Sequence, residues 1–186
     1  MRAILIVAGL PAFLPTVSSA QEITTRRPFG TLRGQAAMQQ PWLEQRMERI
    51  LPALMRKHGV EFWVVPMREY NEDPVFSSLV SPTTFAARRR TIYVFHDRCA
   101  RGGPAGCGVD KIALGGTSQG GVYQAVRSTR AADGPAAGNA PRQAELWGDQ
   151  QWQVLTDLVE ERKPATITTN TSRTWAFADG LSAGEL

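Results

Sequence analysis

Residues 42–76 read WLEQRMERILPALMRKHGVEFWVVPMREYNEDPVF. Leu43, Met47, Ile50, Leu51, Leu54 and Met55 recur at the spacing of a single helical face, which predicts an amphipathic helix. Pro41 suits its first turn, where a missing N–H costs nothing. Lys57 and His58 bring positive charge to its last turn, and Gly59 supplies the left-handed residue that ends it. Phe62-Trp63-Val64-Val65 is then too short and too apolar for anything but a buried strand. The polar turn Arg68-Glu69-Tyr70-Asn71-Glu72-Asp73-Pro74 follows at once. Open α/β sheets meet their ligands at the carboxyl ends of strands, so this turn is the first candidate for function.

Outward from this unit the same reading continues. Residues 75–79 predict one helical turn, and 91–95 (TIYVF) and 109–114 (VDKIAL) predict two further strands. Residues 146–162 form a second helix with Trp147, Trp152, Leu155, Leu158 and Val159 as its apolar positions, stopped by Lys163-Pro164. Residues 165–169 predict a fourth strand, and 170–180 a loop carrying Trp175, Phe177 and Asp179. Residues 21–40 are polar and aperiodic, and predict a leader that lies on the surface or is disordered. Residues 130–141 (RAADGPAAGNAP) predict a flexible surface loop. Strands alternating with helices give an α/β fold, a sheet with helices on both faces. No internal repeat is present.

The chain of 186 residues is long enough for one well-buried domain, and its 42% hydrophobic and 20% charged content are those of an ordinary soluble protein. The net charge of +4 is scattered apart from Arg88-Arg89-Arg90. A nucleic-acid binder concentrates its charge on one element among aromatics, so no nucleic-acid partner is expected. Met1-Arg2, an apolar core over 3–14 and Ser18-Ser19-Ala20 have the layout of a secretory signal, with cleavage predicted between Ala20 and Gln21. The chain is therefore expected in the periplasm or outside the cell, with no membrane segment after cleavage. In such an oxidising compartment Cys99 and Cys107, which bracket CARGGPAGC, are expected to form a disulfide. So short a loop limits its entropic gain to about 2–3 kcal/mol.

Gly116-Thr117-Ser118-Gln119-Gly120 matches the G-x-S-x-G of a serine hydrolase, with Ser118 as nucleophile. That chemistry takes its base from a histidine after the serine, whereas His58 and His96 both precede it. A Gly-rich turn is the simpler reading. Glu69, Glu72 and Asp73 form a carboxylate cluster, though E-D-P is equally a turn that Asp caps and Pro stiffens. Asn170-Thr171-Ser172 matches a glycosylation acceptor, meaningful only in a eukaryotic secretory route. Leu181 to Leu186 contains S-x-x-E, a capping box that opens a helix, and this predicts that the sequence is the front piece of something longer.

With these residues laid out, the chain from Pro41 onward resembles the N-terminal domain of the creatinase/aminopeptidase P/prolidase group, the pita-bread metallopeptidases. More narrowly it resembles an exported bacterial branch of Xaa-Pro aminopeptidases. The matching stretches are 46–76, 87–95 (ARRRTIYVF) and 152–185, of which NTSRTWAFADGLSAGE (170–185) is the most specific. Beyond the signal peptide read over 1–20 and the leader over 21–40, the resemblance implies a three-layer α/β/α domain with a mixed sheet, ribonuclease H-like, over 41–186, expected to be truncated at its C-terminal end. It implies a non-catalytic role, because in this group the following domain supplies two Asp, one His and two Glu that hold two divalent ions such as Mn or Zn. No cofactor and no catalytic residue is expected in this chain. The partners implied are that C-terminal catalytic domain, a further copy in a homo-oligomer, and a peptide substrate. Strand-end placement makes Arg68, Tyr70, Asn71, Glu72, Asp73, Trp175 and Asp179 the candidate lining of the substrate cleft, with Arg68 steering a carboxylate and Tyr70 presenting an aromatic wall. The alternatives are a stand-alone periplasmic module binding a peptide or partner without activity and, more remotely, the Ser118 hydrolase.

Overall fold

The computed structural model describes residues 28–131 and 143–185. The expected signal sequence, the first part of the leader and most of the loop expected at 130–141 lie outside these residues. The chain forms a mixed α/β fold on a six-stranded sheet. Helix α1 (Leu32–Gln45) runs through a π-helical stretch (Arg46–Ile50) into α2 (Leu51–Lys57). Strand β1 (Phe62–Arg68), the short α3 (Phe76–Leu79), β2 (Arg90–Asp97), β3 (Val109–Leu114), β4 (Gln124–Ala131) and β5 (Gln143–Glu145) follow. Helix α4 (Asp149–Arg162) and β6 (Ile167–Thr168) complete it, with a 3₁₀ turn at Ala176–Ala178. The strand order is β5-β4-β3-β2-β1-β6. β1, β2 and β3 are antiparallel neighbours, while β6 lies parallel to β1 and β4 parallel to β3.

The first helix begins well before the periodic stretch. Thr31 caps it, its hydroxyl accepting the Gly34 N–H at 3.1 Å, so residues 32–40 are helical rather than a structureless leader. Their side chains are mostly exposed, which is why no apolar periodicity announces them. Pro41 therefore sits inside α1, not at its start. The π turn has a local cause. A proline ring clashes with the carbonyl four residues back, and Pro52 sits just past a turn in which the Leu51 N–H reaches the Arg46 carbonyl instead. The widened turn also sets the buried face. Leu43, Met47, Leu51 and Met55 are all buried at four-residue spacing, longer than the ~3.6-residue turn of an α-helix, and the π turn absorbs the excess. Ile50 and Leu54, expected in the core, are left 53% and 48% exposed.

Side chains alternate along the central strands between two cores. Val65 and Met67 of β1, Tyr93 and Phe95 of β2 and Ala113 of β3 pack with the buried row of α1 and α2. Phe62, Val64, Ile92, Val94, Ile112 and Leu114 pack with Leu146 and with Trp152, Val154, Leu155, Leu158 and Val159 of α4. Trp147, expected within α4, precedes it and is exposed. Strands β4 and β5 were not expected: Arg130 and Ala131 continue β4, and its run QAVRSTRA carries too few apolar residues for period-two reading. The fourth expected strand shortens to the two residues of β6, paired to β1 at Phe62↔Ile167 and Trp63↔Thr168.

The two sides of the first helix should respond differently to truncation. Leu43→Ala or Met47→Ala should cost about 2–5 kcal/mol, whereas Ile50→Ala or Leu54→Ala should cost about 1 kcal/mol or less. Urea unfolding of the four variants measures both.

Candidate functional site

β1 leaves the sheet at Arg68 and turns back tightly, with Arg68 and Asn71 exchanging backbone hydrogen bonds. Tyr70 forms the tip, at φ 67° and 94% exposed. The returning chain is tied to the approach to β2: Glu72 Oε1 accepts the Ala87 N–H at 3.1 Å, and the Glu69 N–H reaches the Arg89 carbonyl at 3.0 Å. Arg88 and Arg89 both hold positive φ, and Arg89 lies over the exposed Trp147 ring at 5.2 Å.

The same end of β1 receives residues 170–185. Asp73 is 2% exposed, and its two carboxylate oxygens accept from Asn170 Nδ2 at 3.0 and 2.9 Å. One of them also takes the Val75 N–H at 2.9 Å. The Asn170 Oδ1 accepts the indole N–H of Trp63 at 2.8 Å, and Trp63 stacks on its cross-strand neighbour Phe95. The Asn170 carbonyl takes the N–H groups of Gly180 and Leu181, both at 3.1 Å, closing 170–181 into a compact loop. Gly180 lies against the Asp73 carboxylate with no room for a Cβ. Within the loop, Asp179 Oδ1 accepts the Ser172 N–H and Ser172 Oγ accepts the Trp175 N–H. Trp175 itself is 65% exposed.

Farther along, the Glu185 side chain is fully enclosed. Arg68 Nε meets it at 3.1 Å and Arg90 Nε at 3.9 Å. Arg68 Nη2 donates to Ser182 Oγ, while the Ser182 N–H and hydroxyl both donate to Glu185 Oε2. Only one arm of the S-x-x-E box is made, the Glu185 carboxylate taking the Ser182 N–H, while the Glu185 N–H goes to the Ser182 carbonyl in a turn. Of the residues expected to line a cleft, Arg68 and Asp73 are drawn into these contacts. Tyr70, Asn71 and Asp179 are exposed at the same edge, and Glu72 braces the turn. Arg68 spends its guanidinium inside the chain. Sequence reasoning missed Asn170, Gly180 and Arg90, because nothing local couples them to residues 68–73.

Burial pushes the Asp73 carboxyl above its ordinary range, against the opposing pull of the Val75 N–H and Asn170. At the other end of β1, burial acts on Asp97 in the same direction. There the paired hydrogen bonds from Arg56, at 2.9 and 3.1 Å, the Cys99 N–H and the charges of Arg56 and His96 together outweigh it, leaving Asp97 below that range.

The G-x-S-x-G turn has a different occupation. Gln119, at φ 51° and buried, accepts from the Ser81 N–H and the Thr84 hydroxyl, both at 2.8 Å, and donates to the Tyr93 hydroxyl at 3.1 Å. Its carbonyl takes Gln40 Nε2 at 3.0 Å, and Gly120 holds a φ of 76° that favours glycine, with a Cβ there displacing the end of the Gln40 side chain. The Ser118 carbonyl closes the turn by accepting from Gly121 and Tyr123. His96 faces Asp110 and Phe62 on β2, and His58 is exposed beyond α2. Three cavities of about 320–360 Å³ lie against α1, against residues 82–85 and beside Cys99, away from the 170–185 edge. Among the described residues no group of three or more His, Cys, Asp or Glu side chains converges as a metal site would. No helix among them is long and apolar enough to cross a membrane. Comparison with known proteins finds no matching family model, no matching curated protein and no matching solved structure.

Gln119→Ala should cost about 1–3 kcal/mol by stranding buried partners, while Ser118→Ala should cost about 0.5 kcal/mol or less, as read by thermal melts. The two aspartates should titrate with opposite sign. Asp97, with its lowered folded-state pKa, contributes stability above the unfolded carboxyl range near ~3.9, lost as pH falls through the folded value. Asp73, with its raised one, contributes stability below that range, lost as pH rises through the folded value. Urea melts should therefore show the parent's advantage over Arg56→Ala shrinking as pH falls below the ordinary carboxyl range, and its stability relative to Asp73→Asn falling as pH rises above that range.

Proposed function

We propose that this chain is the non-catalytic N-terminal domain of an exported Xaa-Pro aminopeptidase-like metallopeptidase, with the three-layer, ribonuclease H-like arrangement of that group. The observation that carries this reading is the seating of residues 170–185, the stretch in which the resemblance to that group is most specific, along β1 through Trp63 near its start, Arg68 at its carboxyl end and Asp73 in the turn beyond. Support for the three layers comes from the two apolar cores on opposite faces of the mixed sheet, one under α1 and α2 and one under α4.

In this reading the 68–73 turn and the 170–181 loop form one wall of a peptide cleft. Tyr70 and Trp175, both largely exposed, give that wall aromatic faces against which a proline ring would pack. Arg68 acts as a positioning residue: it holds the Ser182–Glu185 turn rather than a substrate carboxylate. The hydrolysis would belong to a separate catalytic domain, whose Asp, His and Glu side chains would hold two divalent ions able to supply an activated water. That domain, a further copy of the chain and the peptide are the partners.

The coding sequence downstream of the Leu186 codon tests this directly. A continuation rich in Asp, His and Glu is expected, and its absence would favour a stand-alone peptide-binding module. Incubated with Mn²⁺ and an Xaa-Pro peptide, the purified chain alone should show no turnover. Turnover by this chain would overturn the proposal.

A further inference from the structure

The disulfide loop reaches across the fold to the segment that carries the proposed wall. Cys99 and Cys107 are bonded, with Cα atoms 5.5 Å apart and a sequence separation of 8. The loop they close is drawn in tightly: Gly103 lies against the Arg98 carbonyl and the Cys107 sulfur with no space for a Cβ, and the Arg98 N–H donates to the Gly108 carbonyl at 3.1 Å. Arg101 projects from this loop. Its Nε meets Glu61 Oε1 at 2.8 Å, and its Nη2 donates to the Lys163 carbonyl at 2.9 Å, where α4 ends. The Glu61 side chain is 7% exposed, and its other oxygen accepts the Ala165 N–H at 2.9 Å. One arginine and one buried carboxylate therefore hold both ends of the connector from α4 to β6.

Little else holds that connector. Residues 163–169 are mostly exposed, β6 pairs with β1 through two residues, and a cavity of about 340 Å³ lined by Arg56, Glu61, Cys99 and Ala165 lies beside it. Packed side chains cannot substitute for polar tethers there. Two residues beyond the end of β6 lies Asn170, the residue that fixes the 170–181 loop on Asp73 and Trp63.

We propose that the Cys99–Cys107 loop is a redox-sensitive clamp that sets the docking of residues 163–181 through Arg101. With the disulfide intact, Arg101 is presented to Glu61 and Lys163, and the connector, β6 and the 170–181 loop are held on the sheet edge. A dithiol reductant converts the disulfide to two thiols and is itself oxidised to a disulfide. The loop then opens, Arg101 loses its fixed origin, and the edge loosens while β1, β2 and β3 keep their packing. The clamp bears on the proposed cleft because its far end is the 170–181 wall, but it is read from docking alone, so its failure leaves the peptidase reading standing.

Hydrogen exchange of the oxidised full chain, read by mass spectrometry with and without dithiothreitol, tests the clamp. Exchange in 163–181 should rise roughly tenfold on reduction while 62–68 and 90–97 stay protected. Arg101→Ala with its disulfide intact should loosen the same segment to a similar degree, and reduction of that variant should add little. Unchanged exchange in 163–181 after complete reduction would overturn the proposal. If reduction exposes the central strands as well, Arg101→Ala decides: a rise confined to 163–181 supports the clamp, and no rise there, or an equal rise in 62–68, overturns it.

Discussion

A carboxylate withdrawn from water costs several kcal/mol unless charge and hydrogen bonds meet it, and β1 is framed by four of them. Glu61 and Asp97 stand at its start, and Asp73 and Glu185 gather at its end. Each is met by named partners: Arg101 and Ala165, Arg56 and Cys99, Asn170 and Val75, Arg68 with Ser182. The partners come from distant parts of the chain. Satisfying these four groups therefore forces the helix end, the disulfide loop and the C-terminal stretch onto the two ends of one strand.

The apolar cores would leave those ends open. Alternation along β1 and β2 supplies two buried faces, and the helices cover them, but a sheet's faces say nothing of its rims. The rims are where this protein spends polar side chains. Gln119 does on one loop what the carboxylates do on β1, drawing 81–84, Tyr93 and α1 around a turn whose sequence imitates a nucleophile elbow. The glycines of that turn are explained by close approach to Gln40 and by backbone conformation.

The candidate site inherits both features. Its framework is the rigid end of a central strand, and its loop is held by polar contacts that can be made and broken without disturbing the core. That division separates the exposed aromatics, Tyr70 and Trp175, from the buried groups beneath them.

The helix face at Leu43, Met47, Leu51 and Met55, the strand cores at 62–65, 91–95 and 109–114, and the second helix, read over 146–162, were legible in the sequence, because local periodicity reports burial directly. The polar turn at 68–73 was legible as a place to look, since it follows the most apolar strand. What the tertiary structure alone decided is which residues those turns meet. The exposed first turns of α1, the polar β4, and the pairing of Asp73 with Asn170 or of Arg68 with Glu185 leave no local trace: separations of 97 and 117 positions are bridged only once the sheet exists. Local sequence sets how each segment folds, and the requirement that buried charge be met across the fold sets where the segments come to rest.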